Sequence, residues 1–222
     1  VRCKACKDTG YAGDDRRAFC ACFEARLSRM RGDAGEIPDE HAFERFDPAV
    51  YPDEAQRDRS RAALSVCEAY ANELPVGKTL NLVLMGESGL GKTFLLDAVT
   101  RRAQEKDVPA ARKTAFEALE AMRAYHFGEN GQDNEFSRML TVPLLALDDL
   151  GTEPMLKNIT VEYLFTLLNE RMAARRHTAI ATNLTMSDLA QRYGERVLSR
   201  LMDRTKGEFI RLTGQDLRFR RA

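Results

Sequence analysis

Residues 86–93 read Gly86-Glu87-Ser88-Gly89-Leu90-Gly91-Lys92-Thr93, a complete glycine-rich phosphate-binding pattern. Its flanks have the required character: residues 80–85 form a short apolar run, and a helical pattern continues from Lys92 to about Gln104. Glycines at these positions let backbone N–H groups turn inward around phosphate oxygens, and the helix that starts at Lys92 adds the positive end of its dipole. Lys92 is expected to reach the β- and γ-phosphates and Thr93 to complete the shell of a Mg²⁺ ion. Phe94, next in the chain, belongs to the same nucleotide-binding set. The cofactor this pattern predicts is ATP with Mg²⁺.

Beyond the loop, short apolar runs alternate with helical stretches. Strands are expected at 108–114, 142–147, 178–181 and 208–212, and helices at 115–125, 159–174 and 187–204. Such alternation predicts an α/β fold with a parallel sheet covered on both faces. Upstream, residues 53–74 read as a helix with Leu64, Cys67, Ala71 and Leu74 along one face, which makes Cys67 a buried small hydrophobe. Residues 128–134 are polar and rich in Gly and Asn, and read as a loop.

Three further features line up with the loop. The run Pro143 to Leu147 ends in Asp148-Asp149, where Asp148 would hold Mg²⁺ and Asp149 would act as the base that polarises the attacking water. The strand Ile180-Ala181-Thr182 ends in Asn183, which either contacts the γ-phosphate and lytic water (the sensor 1 role) or makes a turn or a helix N-cap. Arg196 and Arg200 lie four apart on one helix face just before the last strand, where an oligomeric ATPase presents an arginine finger to its neighbour. Taken alone, the pair also suits a solvated helix surface. Of the two, Arg200 is the preferred finger.

Composition bounds the rest. With 222 residues, 44% hydrophobic and 31% charged, the chain fits one α/β core plus a small appendage. Formal net charge is zero, so any nucleic-acid contact has to come from local patches. No apolar run approaches the roughly 18 residues of a membrane span, and no membrane partner is expected. Five cysteines beside a phosphate loop point to a reducing, cytoplasmic compartment. Cys3-x-x-Cys6 and Cys20-x-Cys22, 13 residues apart, supply four thiolates for a closed structural Zn²⁺ site, with redox chemistry or unliganded thiols as alternatives. His41 is a spare ligand or an ordinary linker histidine. The expected domains are a cysteine-rich module at 1–31, a Pro/Gly-bearing extended linker at 32–52 and an ATPase domain at 53–222. A chain that opens on Val1 reads as part of a longer one.

In combination these motifs resemble the DnaC/DnaI group of bacterial replicative helicase loaders, AAA+ ATPases related to the IstB transposition ATPases. The likeness rests on the cysteine module containing Asp8-Thr9-Gly10-Tyr11, on Phe46-Asp47-Pro48 and Tyr51-Pro52, and on the loop at 86–93. It continues through Leu147 to Glu153, Ala181 to Leu184, Gly194-Glu195-Arg196-Val197 and Ser199-Arg200-Leu201, and so covers essentially the whole chain. It implies an AAA+ fold with five parallel strands in the order 5-1-4-3-2 and no helical lid. It further implies ATP-dependent self-association into a spiral, single-stranded DNA in the central channel, and delivery of a DnaB-type replicative helicase. By the same resemblance, segments 122–127 and 155–160 would meet DNA, with Arg123, Tyr125, Phe127, Lys157 and Thr160 as candidates. Tyr125 and Phe127 also suit a helix core. Arg218 or Arg220 would stand in for the lid's sensor 2 arginine. Other readings are an IstB-like transposition regulator with a transposase as client, and a zinc-containing ATP-binding switch with negligible hydrolysis.

Overall fold

Five apolar segments pair into one parallel sheet in a computed structural model that describes residues 37–129 and 134–219. Nearer the N-terminus it describes a two-residue antiparallel ladder, Tyr11–Ala12 with Ala18–Phe19. Cys3, Cys6, Cys20 and Cys22, and Arg220, lie outside the described residues.

The main-sheet strands are β1 (Asn81–Met85), β2 (Ala110–Thr114), β3 (Leu144–Leu150), β4 (His177–Thr182) and β5 (Gly207–Arg211). They lie in the order β2-β3-β4-β1-β5, the expected 5-1-4-3-2 read from the other edge, and every neighbouring pair is parallel. The helices are α1 (Glu54–Glu73), α2 (Lys92–Glu105), α3 (Ala115–His126), α4 (Glu135–Thr141), α5 (Thr160–Ala173) and α6 (Met186–Leu201).

Central strands read as continuous apolar runs because both faces of the sheet are covered. In β1 the two-residue period sends Leu82 and Leu84 to one face and Val83 and Met85 to the other. The first face packs with Leu144, Ala146 and Ala181 against α1 and α2, through Cys67, Tyr70, Leu95, Leu96 and Val99. The second packs with Leu145, Leu147 and Ile180 against α3, α5 and α6, through Leu119, Met122, Leu164, Leu168, Leu189 and Val197. Each fully buried leucine contributes about 1.5–3 kcal/mol, which makes these two layers the main source of stability. Cys67 is among the buried side chains, and burial pushes its thiol up to about 12, so it behaves as the small hydrophobe expected.

Three stretches outside the strands differ from the sequence expectation. Residues 37–52, expected as an extended linker, form three short 3-10 turns, Asp39–His41, Phe43–Arg45 and Pro48–Val50, with Phe43 and Tyr51 buried. Aromatic burial draws this segment onto α2, where Arg101 pairs with Asp39 at 2.7 Å and Arg102 with Glu44 at 2.6 Å. The short α4, capped by Asn134, follows the polar loop and buries Phe136 and Met139. Gly194 breaks α6 with φ 79 and ψ 163, so the 187–204 pattern is two helical pieces sharing one buried stripe of Leu189, Tyr193, Val197 and Leu201.

Among the described residues one charged side chain is wholly interior. Arg171 of α5 donates to the carbonyls of Met139, Val142, Pro143 and His177 and to the Thr178 hydroxyl, filling its donor set without a carboxylate. Burial lowers it to about 9, still protonated at neutral pH. No helix among the described residues is long and apolar enough to cross a membrane.

Candidate active site

The candidate site lies at the C-terminal ends of β1, β3 and β4, where parallel sheets place their ligands. The loop after β1 is held from both neighbouring strands: Gly86 N–H donates to Thr182 O at 3.2 Å, and Leu212 N–H, just past β5, donates to Met85 O at 2.8 Å. Gly89 has φ 72, and a Cβ there would fall 1.6 Å from Asp216 Oδ1. Gly91, φ 86, has Tyr51 Oη 2.8 Å from where its Cβ would be. At both positions the positive φ favours glycine, and a side chain would in addition have to displace Asp216 or Tyr51. Tyr51 also donates to Leu90 O at 3.0 Å, so the segment at 37–52 braces the loop.

A cavity of about 320 Å³ opens above the loop. Among its lining residues are Lys92, Thr93, Phe94, Asp149, Asn183 and Arg218. Lys92 is 5% exposed, and its ammonium donates to Glu87 O at 2.7 Å. Burial lowers its pKa, opposed by Asp149 and Asp148. The Thr93 hydroxyl donates to Asp148 Oδ1 at 3.2 Å, so the two residues expected to share Mg²⁺ are already neighbours. Asp148 is 4% exposed; burial raises its carboxyl above the ordinary range, and Arg112 opposes the shift. A buried carboxylate beside a hydroxyl, a lysine opposite and a glycine-bordered cavity fit a Mg²⁺-nucleotide. Lys92 would hold phosphate oxygens, Thr93 and Asp148 the metal shell, and the loop N–H groups the remaining phosphate charge.

The acid pair sits on an irregularity. Pairing of β3 with β4 passes from Leu147↔Ile180 to Leu150↔Thr182, three residues against two, so β3 carries one extra residue there. Such a bulge re-aims side chains. Asp148 turns inward while Asp149, at φ 55, turns out to the cavity. The acids thus belong to β3 itself, which runs to Leu150 rather than ending at residue 147.

Sequence reading missed the cation that holds the inner acid of the pair, Asp148. Arg112 of β2 donates through Nη2 to Asp148 Oδ2 at 2.8 Å and through Nε to Asp97 Oδ1 at 2.5 Å. Asp97 in turn meets His41 Nδ1 at 2.8 Å, and that contact is the place the structure gives this histidine. The one available signal was an arginine in the middle of a short strand beside the acid strand, Ala110-Ala111-Arg112-Lys113-Thr114. Asn183 is exposed at the end of β4, and the helix cap it was weighed against belongs instead to Thr185, which forms a capping box with Asp188.

Arg196 and Arg200 lie on the half of α6 beyond Gly194 and line no part of the cavity formed by their own chain. Arg196 lies 4.2 Å over the Phe165 ring, and Arg200 donates to Asn169 Oδ1 at 3.0 Å. Of the residues expected to meet DNA, Lys157 is exposed, Phe127 is 62% exposed and Tyr125 43% exposed. Tyr125 also packs on Phe136 and Tyr163, so one face of its ring is core. Arg123 is paired with Glu120 and Glu129. Thr160 is buried; its hydroxyl donates to Pro154 O and accepts from Leu156 N–H, so it shapes the loop and leaves no group for a strand.

Fold and site together define a P-loop nucleotide-binding protein built on a five-stranded parallel sheet. The chain belongs to the family of IstB-like ATP binding proteins, whose model matches residues 24–221. It is 31% identical over 150 residues to the Escherichia coli K12 protein YdaV, covering 67% of this chain and 59% of that protein. It is 28% identical over 152 residues to the replicative helicase loader DnaI of Bacillus subtilis, covering 64% of this chain and 49% of DnaI. The chain therefore spans about half to three-fifths of the length of these curated relatives. Among solved structures, the DnaC helicase loader superposes with a TM-score of 0.63 at 24% identity, covering 79% of this chain and 98% of that one. DnaI superposes with a TM-score of 0.63 at 24% identity, covering 81% and 93%, and these two likenesses establish the fold.

Proposed function

We propose that this chain is an ATP-hydrolysing loader of a replicative helicase, assembling on ATP and single-stranded DNA to deliver a DnaB-type hexamer. The observation that carries the ATPase part is the convergence of Lys92, Thr93, Asp148, Asp149 and Asn183 on one cavity region at the ends of three strands. In this reading Lys92 and the loop amides neutralise the phosphates, Thr93 and Asp148 hold Mg²⁺, Asp149 orients the attacking water and Asn183 contacts the γ-phosphate. Arg200, with Arg196, reaches the nucleotide of a neighbouring subunit, which accounts for arginines that are remote from their own cavity. Turnover then depends on self-association into a spiral. Exposed Lys157, Phe127 and Tyr125 offer a phosphate contact and stacking faces for DNA, with Arg123 available once Glu120 and Glu129 release it. The loader relatives support the helicase as client. Zinc on Cys3, Cys6, Cys20 and Cys22 is part of the proposal, supported by the short ladder that folds the chain back between the two pairs. The place of action in this reading is the cytoplasm.

The test is size-exclusion chromatography and steady-state hydrolysis with ATP or its analogue, single-stranded DNA and a DnaB-type helicase. A complex that requires ATP, together with DNA-stimulated hydrolysis lost in Arg200→Ala, is the expected result. Hydrolysis indifferent to DNA and to Arg200→Ala would sink the loader reading, and negligible hydrolysis under every condition would leave an ATP-binding switch. A second reading, a transposition regulator, has one observation in its favour. The chain is 31% identical over 94 residues to an insertion sequence IS21-like ATP-binding protein of Bacteroides fragilis, covering 42% of this chain and 46% of that one. Recovery of a transposase instead of a helicase in a pull-down decides for it.

A further inference from the structure

The turn that follows the acid pair is fastened to α6 through a buried carboxylate. Glu153, 4% exposed, accepts from Gly151 N–H at 2.9 Å through Oε2 and from the Tyr193 hydroxyl through Oε1. Burial, and next the hydrogen bond to Glu153, raise the Tyr193 phenol well above its ordinary range, so it stays the donor. On the upstream side, the Thr152 N–H and hydroxyl both donate to Asp149 O, at 3.1 and 2.9 Å. Two sets of hydrogen bonds, joined by the peptide bonds of residues 151–153, thus link the backbone of the proposed catalytic base to Tyr193.

The link has room for a second arrangement. Arg192 donates through Nη2 to Glu153 O, but its Nε is buried without a hydrogen-bond partner, 3.8 Å from Glu153 Oε1. A shift of about 1 Å closes that gap to hydrogen-bond length. The next residue after Tyr193 is Gly194, whose φ 79 and ψ 163 are open to glycine alone, although a Cβ there would meet nothing within 4 Å. Glycine is required here for backbone conformation and not for space, as at a joint. Beyond it stand Arg196 and Arg200, held by one ring and one amide oxygen.

We infer that Glu153 and Tyr193 are positioning residues that carry a displacement of the loop after the acid pair across Gly194 to the arginine-bearing half of α6. This rests on the reading above, in which those arginines serve a neighbouring subunit and the loop meets DNA. Met155 and Lys157, exposed in the same loop, give a strand something to pull on, and Glu153 is the anchored residue next to them. Strand engagement is thereby converted into a change in how the arginines are presented, through a discrete element with two arrangements.

The experiment compares the full chain with its Tyr193→Phe variant, measuring ATP turnover with and without single-stranded DNA. Hydrogen exchange over residues 195–201 is followed in the same mixtures with an ATP analogue. In the variant the KM for ATP is expected to hold while DNA-stimulated kcat falls about tenfold, the scale of a coupling residue. The DNA-induced change in exchange should vanish with it. Glu153→Gln keeps one acceptor oxygen and is expected to retain an intermediate rate. Gly194→Ala, which leaves the buried carboxylate untouched, should reproduce the loss. Wild-type stimulation and a wild-type exchange response in Tyr193→Phe would overturn the inference, as would an equal fall in stimulated and unstimulated rates. Absence of any DNA response in the unaltered chain would overturn the loader reading itself, a result distinguishable from the others.

Discussion

Arg112 Nη2 lies 2.8 Å from Asp148 Oδ2 while its Nε lies 2.5 Å from Asp97 Oδ1, so one guanidinium bridges two acids that are each nearly sealed from water. Coulomb attraction at these distances offsets the cost of burying the carboxylates, and removing the cation leaves both exposed to that cost. Arg112→Ala is expected to lower unfolding free energy by about 3 kcal/mol in urea denaturation. Adding Asp97→Asn should return part of the loss, since one of the stranded charges is then gone. Equal stability of the single and double variants would contradict the shared-cation account.

Lys92 and Asp149 should separate binding from chemistry. Lys92→Ala removes the ammonium that faces the phosphates and is expected to abolish ATP binding in a fluorescent-analogue titration. Asp149→Asn keeps the short polar side chain that tolerates φ 55 and so should bind ATP normally. Its hydrolysis rate is expected to fall about a hundredfold, the lower end for loss of a general base. Intact binding in Lys92→Ala, or unchanged turnover in Asp149→Asn, would refute these roles.

Arg218 borders the nucleotide cavity and is steered by Asp216, 2.8 Å from its Nη2. The tail that carries it is pinned to the loop by Leu217 N–H, which donates to Gly89 O at 3.2 Å. A charge-assisted contact to phosphate predicts that Arg218→Ala raises the Kd for ATP about tenfold. Isothermal titration with ATP and with ADP would check this, and an unchanged Kd for both would remove Arg218 from the site.

Arg171 is costly to replace, being fully buried with its donors all in use. Its truncation to Ala would leave a cavity and strip donors from the Met139, Val142, Pro143 and His177 carbonyls together. A loss of about 3–5 kcal/mol is expected from thermal or urea unfolding. Because the residue is remote from the acid pair, the surviving folded fraction should bind ATP with wild-type Kd.

The capping box of α3 gives a pH signature. The Thr114 backbone N–H, first among the causes, holds the Glu117 carboxyl below its ordinary value. A depressed folded pKa means that the contribution is complete above the unfolded value, near 4.5, and is lost as pH falls through the folded one. Thr114→Ala should cost about 1 kcal/mol at neutral pH. The gap between wild type and variant should narrow as acid protonates Glu117. A gap independent of pH would rule out a part for the bond from the Thr114 hydroxyl to the carboxylate, since the backbone N–H bond survives in the variant.

Backbone architecture was legible in the sequence wherever period and motif coincide. The loop at 86–93, the apolar strands and the order of acids, asparagine and arginines are local patterns, and the β2-β3-β4-β1-β5 sheet carries them as expected. What escaped was pairwise and non-local. Arg112, Asp97, Arg171 and Glu153 have the same composition as solvated charges, and only the fold brings Arg112 to a residue 36 positions away. Phe43 and Tyr51 looked like members of a linker because their partners on α2 and the phosphate loop lie far off in sequence. The bulge in β3 had no signature, since the extra residue is defined by its partner strand alone.

That bulge constrains how this sequence can change over generations. At φ 55 residue 149 favours Asp or Asn over Glu, so lengthening the proposed base to reach a water more easily would also require rebuilding the end of β3. The mutational neighbourhood is lopsided: the step to Asn is structurally cheap and catalytically silencing, while the step to Glu meets backbone resistance. Well-folded, nucleotide-retaining but inert sister sequences are the expected by-product of this geometry, and Asn at position 149 is where to look for them.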